Sequence, residues 1–440
     1  MKNAEIISTG EGELRREINL PLLIAMMIGL NIGGALFVLT AIAAGQTGPS
    51  LFIAQIIAAS SIFLSLVAYM MFTSAMPTTC ASYRYAKLFS RPLAVAAWVV
   101  IVVGIGAGGM PLFALTAVKF LQILIPGLPL IGTAIGILVL FYVINVVGIK
   151  PVGWVQFGTV VVLLIAIGIF IGPGIPAIKT ENLTPLFPGG AKGLIVSSAL
   201  LYTLCGGGLF GIDIGEETKA AKSTIPKALV ISMIVVVVFY LLVEIVAVGV
   251  VNWKIFGGES LAIPAKAFLS GPLLGFFLVG GGVLACITTI NLIMTLGGRY
   301  FLAFSEDGFL PHPFRNINKR FGTPHWGLTL GLIITVIAVV VIPSLQTMGL
   351  MLNFGLVFMI TLVLLAAYKL PKRHPEIYEK AEFRPKQKTL SITSLIAVAM
   401  NIFFMIILAI ALKLAFVIFV ASALVGIGVY YGVMSRKRLA

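Results

Sequence analysis

The stretch Gly29-Leu30-Asn31-Ile32-Gly33-Gly34-Ala35-Leu36-Phe37 lies in the middle of an apolar run that extends from about Leu20 to Ala44. Adjacent glycines are poor helix formers, so the stretch predicts a membrane helix that is interrupted at Gly33 and Gly34. In hydrocarbon, the freed backbone groups must line a cavity or hold a ligand. The second half-helix would present its positive end at mid-membrane, where it can bind a carboxylate. The alternative is that both glycines only permit close helix packing.

The composition is that of a polytopic membrane protein. Of the 440 residues, 60% are hydrophobic and 10% are charged, and the mean hydropathy is +1.12. Soluble domains do not use so much apolar residue. No cleaved signal peptide is expected, because the N-terminal segment carries acids and no separate apolar run. Twelve runs of spanning length are predicted, near 20–45, 50–74, 92–122, 128–149, 152–173, 193–215, 226–252, 271–304, 326–343, 347–369, 391–413 and 415–434.

The basic residues are concentrated on one side of the predicted membrane. With the N-terminus inside, 24 of the 30 Lys and Arg residues fall in inside segments. This bias predicts a cell-membrane protein with both termini in the cytoplasm. The net charge of +15 is therefore interpreted as a topology signal, and no nucleic-acid partner is expected. No cofactor or metal is expected either, because the three cysteines and three histidines match no metal-site spacing.

A second interruption is predicted in the sixth run, where Leu204-Cys205-Gly206-Gly207-Gly208-Leu209-Phe210-Gly211 contains three consecutive glycines. Gly33 and Gly207 are 174 positions apart, as are Gly106 in the third run and Gly280 in the eighth. The shared offset indicates two units of five helices, and an odd number of helices inverts the second unit. Paired interrupted helices in inverted halves mark the substrate site of a transporter. Chance agreement is the alternative, since glycine is abundant in this chain.

The predicted fold class is an all-α polytopic membrane protein with twelve transmembrane helices and a five-plus-five inverted repeat with broken helices 1 and 6. The domains follow from the repeat. They are a cytoplasmic segment 1–19, the first repeat 20–173 (helices 1–5), the second repeat 192–369 (helices 6–10), helices 11–12 at 391–434, and a cytoplasmic tail 435–440.

Three motifs resemble those of the amino acid–polyamine–organocation (APC) family of transporters. The first is G-x-N-I-G-G-A-L-F at 29–37, and the second is G-x-F-G-x-D-x-G-E-E-T at 208–218, followed by Ile225-Pro226-Lys227-Ala228. The third is Glu306-Asp307-Gly308-Phe309-Leu310-Pro311 after helix 8. One departure is that Lys222-Ser223-Thr224 replaces the usual Asn-Pro. The resemblance covers helices 1–10, and its motifs are specific for the family but not for one substrate.

The resemblance implies a secondary active transporter that binds its substrate between helices 1 and 6. Backbone amides after the first break would hold a carboxylate, and carbonyls freed at both breaks would hold an α-ammonium. Phe210 would cover the pocket, with a core or lipid-facing position as the alternative. Single-subunit function is typical of this fold. The implied substrate-binding residues are Ile32, Gly33, Gly34, Ala35, Cys205, Gly206, Gly207, Gly208 and Phe210.

Na+ and H+ are the candidate coupling ions. Thr288 and Thr289, with the carbonyls of Gly29 and Ile32, would form an oxygen-lined sodium site. Alternatively, the two hydroxyls bond back to their own helix. Glu244 is a candidate proton relay, because intramembrane acids are costly and functional by default, although it could instead lie at the membrane interface.

Three acids near the inner end of helix 6 are candidates for an inner gate. Asp213, Glu216 and Glu217 would pair there with a basic residue, Arg84 or Arg299. The alternative is that these acids are solvated caps.

Uncharged break regions favour a neutral amino acid as substrate. A polyamine or other organic cation, transported or exchanged, would instead recruit Asp213 or Glu244. A channel is disfavoured because no filter-like repeat is evident. An enzyme is disfavoured because the spans hold almost no clustered polar residues. A sensor without transport activity stays open.

Overall fold

A computed structural model describes residues 14–342, 345–411 and 413–439 of the chain. Most of the predicted segment 1–19, and residue 440 of the tail, lie outside these residues. The described part is helical, with two isolated β-bridges and no named strand, so the all-α class is confirmed. Its α-helices are α1 Leu20–Asn31, α2 Gly34–Thr47, α3 Leu51–Ala75, α4 Ala81–Phe89, α5 Arg91–Val103, α6 Met110–Leu124, α7 Leu130–Val147, α8 Ile149–Gly174, α9 Gly190–Gly206, α10 Ala221–Val250, α11 Trp253–Phe256, α12 Ala262–Phe268, α13 Gly271–Phe276, α14 Leu284–Glu306, α15 His325–Val341, α16 Leu345–Arg373, α17 Pro375–Glu379, α18 Gln387–Ala411 and α19 Lys413–Leu439.

Within the described ranges, ten helical stretches are long and apolar enough to cross a membrane. One of them, Leu20–Ala75, has 56 residues and contains α1, α2 and α3. The apolar helix α15, with 17 residues, is shorter than each of these ten stretches. The protein is thus a multi-pass membrane protein, and the count of twelve spans stays a prediction.

Two long helices widen locally at the glycines that share the 174-residue offset. Gly106 lies in a π-helical stretch, Gly104–Gly109, between α5 and α6. Gly280 lies in a second π-helical stretch, Phe277–Val283, between α13 and α14. Such bulges are rare in helices and are frequent at functional sites. The inverted repeat stays a prediction, and these matched departures are consistent with it.

The interrupted helices lie in the interior of the bundle. The apolar part of the stretch from α1 to α3 is 72% buried, and that of Gly190–Asp213, which contains the second break, is 83% buried. In contrast, the corresponding part of α19 is only 11% buried. The last helix therefore lies at the periphery of the bundle.

Candidate functional site

The predicted interruption of the first helix is present. Helix α1 ends at Asn31, and Ile32 leaves the helical region with φ −81° and ψ 74°. Gly33 is extended, with φ −104° and ψ −174°, and α2 begins at Gly34. The first amides of a helix have no partner within it. Those of Gly34 and Ala35 are therefore available to a ligand in the middle of the bundle.

The interruption of helix 6 has a different form from the expected unwound chain. Helix α9 ends at Gly206 and continues directly as a 3-10 helix over Gly207–Asp213. A 3-10 helix still pairs its backbone groups, which satisfies most of them where no water is present. Near the junction, the carbonyl of Leu204 lies 3.2 Å from the hydroxyl of Tyr240.

The two breaks are in direct contact. The backbone N–H of Gly208 donates to Oδ1 of Asn31 at 2.6 Å. The Tyr240 hydroxyl, on α10, donates to the carbonyl of Asn31 at 2.6 Å. A Cβ atom on Gly207 would lie 2.4 Å from the carbonyl oxygen of Leu30. Only glycine at position 207 therefore allows the two backbones to approach this closely.

A small cavity of about 40 Å³ lies between the breaks. Among the predicted substrate-binding residues, Gly33, Ala35, Gly207 and Phe210 line it. None of the described residues in its wall has a charged side chain. The wall consists of Leu30, Asn31, Gly33, Ala35, Ile105, Phe113, Thr203, Gly207, Phe210, Thr289, Ile293, Leu296, Leu352 and Leu356.

The other predicted substrate-binding residues do not line this cavity. The Cys205 sulfur accepts a hydrogen bond from Gln55 on α3 at 3.0 Å. Gly206 faces Tyr202, and Gly34 faces Cys286 on α14. Ile32 is fully buried, and Gly208 is engaged by Asn31 as described above. Their predicted role in substrate binding stays a prediction, and it would have to be carried by backbone groups.

Two polar side chains at the cavity were missing from the predicted site. Nδ2 of Asn31 and the hydroxyl of Thr203 are buried and have no hydrogen-bond partner among the described residues. Buried polar groups are normally paired, so each is ready for a ligand. The sequence could have indicated both residues, because each is a polar residue within an otherwise apolar run, and polar residues are costly in a membrane.

Three residues of the predicted sodium site, Gly29, Thr288 and Thr289, lie together in the structure. The hydroxyl of Thr289 lies 3.1 Å from the carbonyl oxygen of Gly29, and that of Thr288 lies 3.5 Å from it. Both hydroxyls also reach the carbonyl of Ala285 on their own helix, at 3.1 Å and 2.8 Å. The same two hydroxyls are thus shared between the predicted sodium site and the alternative, in which they bond back to their own helix.

The three predicted gate acids have three different partners. Glu217 forms a buried, two-pronged ion pair with Arg299 of α14, at 2.7 and 2.9 Å. Glu216 accepts from the hydroxyl of Thr78 at 2.9 Å. The third acid, Asp213, accepts from the backbone N–H of Ser82 at 2.6 Å, and thereby caps α4.

The remaining gate candidate, Arg84, pairs with Glu306 at 2.7 Å in a half-exposed position. Next to it, Cys80 lies between α3 and α4, outside the spans, and its backbone N–H donates to the carbonyl of Asp213 at 2.8 Å. Burial raises the pKa of the Cys80 thiol, which therefore stays neutral in this wall.

The Tyr240 hydroxyl provides a first test of the contact between the breaks. Tyr240→Phe removes the donor that holds the Asn31 carbonyl, at a cost of about 1–2 kcal/mol. Substrate affinity should fall about 5- to 30-fold for that energy, as measured by calorimetric titration. Tyr69→Phe is the matched control, because its buried hydroxyl has no partner among the described residues. Equal affinities of the two variants would contradict this role.

Comparison with known proteins places the chain in a family. The profile of a family described as amino acid permease matches residues 18–431. A methylthioribose transporter of Bacillus subtilis is 28% identical over 404 residues, which cover 86% of this chain and 85% of the relative. A branched-chain amino acid permease of the same organism is 25% identical, covering 84% of both chains. A vacuolar cationic amino acid transporter of Arabidopsis thaliana is 26% identical, covering 81% of this chain and 63% of the relative.

These relatives are permeases and transporters and not enzymes. The match extends over nearly the whole described bundle, including both interrupted helices and the cavity between them. The chain belongs to the amino acid permease family of APC transporters.

Proposed function

We propose that this protein is a secondary active transporter of neutral amino acids that works by alternating access in a cell membrane. The observation that carries the proposal is the cavity between the two helix breaks, whose wall contains no charged side chain. A zwitterion needs no charged partner there, because helix ends and free backbone groups supply partial charges of both signs.

Each part of an amino acid has a matching group at the cavity. The amide of Ala35, which lines the cavity, and that of the adjacent Gly34 lie at the positive end of α2 and suit a carboxylate. Carbonyls at the junction of α9 and its 3-10 continuation suit an ammonium group. Ile105, Phe113 and Leu352 form part of an apolar wall that suits an uncharged side chain.

The names of the relatives support an uncharged solute. A methylthioribose transporter and a branched-chain amino acid permease are each named for an uncharged sugar or side chain. The cationic amino acid transporters of Arabidopsis support the competing class. In this chain the acids that a cation would recruit, Asp213 and Glu244, do not line the cavity.

Alternating access requires one end of the bundle to open while the other stays closed. The cavity has room for about three water molecules, so substrate entry requires the surrounding helices to move. In this proposal, the ion pair of Glu217 and Arg299 holds closed the end that the positive-inside rule assigns to the cytoplasm. Opening that end would release the substrate into the cell.

A ligand screen tests the substrate class directly. The purified protein is heated with each of twenty amino acids, with polyamines and with simple carboxylates. A ligand that binds the native state raises the apparent melting temperature, with about 2.7 kcal/mol of stabilisation at 100 times its Kd. L-Leucine and other neutral amino acids should stabilise the protein, and radiolabelled L-leucine should exchange across liposome membranes. Stabilisation by arginine, lysine or spermidine alone would contradict the neutral class.

A further inference from the structure

Glu244 is an unusual group in the interior of this bundle. Its side chain has 0% exposure, and it lies on α10, within a stretch long and apolar enough to span the membrane. Neither carboxyl oxygen has a hydrogen-bond partner among the described residues. A lone buried carboxylate is so costly that the group takes up a proton instead. Glu244 is therefore expected to be protonated, and so neutral, in this conformation.

Among the described residues, Glu244 has no counter-ion in its surroundings. Its titratable neighbours are Cys205 of α9 and Tyr240 of α10. Gln55 of α3 binds the Cys205 sulfur, and the other end of its amide, Oε1, has no partner in the described chain. The acids Asp213, Glu216 and Glu217 lie towards the opposite end of α10. The remaining charged residues on the described elements packed against α10 are all exposed, namely Lys150, Glu181, Lys192 and Lys266.

Glu244 is connected to both helix breaks through one turn of α10. Tyr240 precedes it by four residues and therefore lies on the same face of the helix. The Tyr240 hydroxyl holds the carbonyl of Asn31 at the first break and lies next to that of Leu204 at the second. A negatively charged Glu244 would need water or a hydrogen-bond donor beside it. Loss of its proton therefore favours a different arrangement of α10, in which the carboxylate has such a partner. Two arrangements with different proton affinity couple protonation to the substrate site.

The alternative coupling site is less suited to its ion. Next to Gly29, Thr288 and Thr289 lies the side-chain amide of Gln156, whose Nε2 has no partner among the described residues. A Cβ atom on Gly29 would be 1.8 Å from that nitrogen. The amide N–H group thus occupies the space beside Gly29. Sodium needs oxygen ligands on all sides, and a hydrogen-bond donor at this position repels it.

We propose that Glu244 is the proton-binding site that couples amino acid transport to the proton gradient. The inference rests on the proposed function. The Glu244 carboxylate takes one H+ from the outer side as the substrate binds. The neutral acid crosses the conformational change with the substrate bound, and one H+ is released on the inner side as the carboxylate re-forms. One proton therefore moves with each amino acid, and no other reactant is consumed.

The test uses the full-length protein in liposomes that contain a pH-sensitive dye, with L-leucine as the probe. In the wild type, L-leucine uptake should acidify the lumen. A gradient of one pH unit, with the outside more acidic, should drive about tenfold accumulation of L-leucine in the lumen. Glu244→Gln should keep leucine–leucine exchange, which needs no net proton movement, and should lose both accumulation and acidification. Glu259→Gln, an exposed acid of the loop between α11 and α12, should behave like the wild type.

Each other outcome is informative. A Glu244→Gln variant that still acidifies the lumen during uptake would overturn the proton site. Net uptake of L-leucine by the wild type without acidification of the lumen would overturn it too, while leaving the transport function intact. Absence of any L-leucine exchange in the wild type would overturn the proposed function, and the proton site with it. If Glu244→Gln does not fold, Glu244→Ala provides the test, because it also removes the carboxyl group and should lose accumulation while keeping exchange. Accumulation of L-leucine that persists in a folded Glu244→Ala variant would overturn the inference.

Discussion

Replacing Gly207 with leucine is expected to abolish substrate binding and transport while the protein still inserts in the membrane. The reason is the close approach of the two broken helices. A Cβ atom at position 207 would lie 2.4 Å from the backbone oxygen of Leu30, which cannot rotate away. The rest of the leucine side chain would extend from the lining of a cavity of about 40 Å³. Both effects act at the proposed substrate site.

The measurement is the stabilisation of the purified Gly207→Leu variant by L-leucine, together with exchange of labelled L-leucine in liposomes. Overpacking also lowers stability by about 1–3 kcal/mol, so the variant should melt earlier than the wild type but as a single folded species. Binding that remains at the wild-type level would exclude the junction at Gly207 from the substrate site.

The neighbouring glycine provides a matched control. A Cβ atom on Gly206 would be 3.5 Å from the nearest atom, in the Tyr202 side chain, which is an ordinary van der Waals contact. Gly206→Ala should therefore retain binding within about threefold, because no backbone has to move. The substrate affinity of Gly207→Ala is predicted to lie between that of the Gly206→Ala control and that of the Gly207→Leu variant. If Gly206→Ala and Gly207→Ala were equally impaired, the effect would come from the helix propensity of the glycine run and not from the contact with Leu30.

The positions of both helix breaks were predictable from glycine alone, but their form was not. Glycine is as compatible with an extended residue, which Gly33 adopts, as with the 3-10 helix that starts at Gly207. The choice is made by neighbours from distant parts of the chain. Asn31 binds the amide of Gly208 and Tyr240 binds the carbonyl of Asn31. Such pairings depend on tertiary packing and leave no local pattern in the sequence.

The helical spacing of polar residues in α14 predicts that Arg299, the partner of Glu217, is buried. Thr288, Asn291, Thr295 and Arg299 follow one another at spacings of three, four and four along the apolar helix α14. These spacings put all four on one face, and all are buried in the bundle. Arg299 was therefore the better of the two predicted gate partners. Arg84 lies on the short amphipathic helix α4, which leaves it partly exposed.

Glu217→Gln is expected to lower the free energy of unfolding by about 3–5 kcal/mol, because it leaves the cation of Arg299 buried and unpaired. The two side chains are 0% and 1% exposed and share two hydrogen bonds. A third donor of Arg299 reaches the carbonyl of Thr295 at 2.9 Å, which cannot replace a carboxylate. Melting curves of the purified variant measure the loss, and Glu306→Gln is the control. Its pair with Arg84 is 33–42% exposed, so its loss should cost only about 0–1 kcal/mol.

The same substitution should loosen the end of the bundle at which the ion pair lies. The carbonyl of Glu217 accepts backbone hydrogen bonds from Glu17 and Ile18, both at 3.0 Å, so the segment before α1 is fastened at this point. A cysteine introduced at Ile18, which is fully buried, should become faster to alkylate in the Glu217→Gln background. Removing both charges, as Glu217→Gln with Arg299→Met, should restore much of the stability, because no unpaired charge remains. If the double variant melted no higher than Glu217→Gln, the lost stability would come from packing and not from the stranded cation.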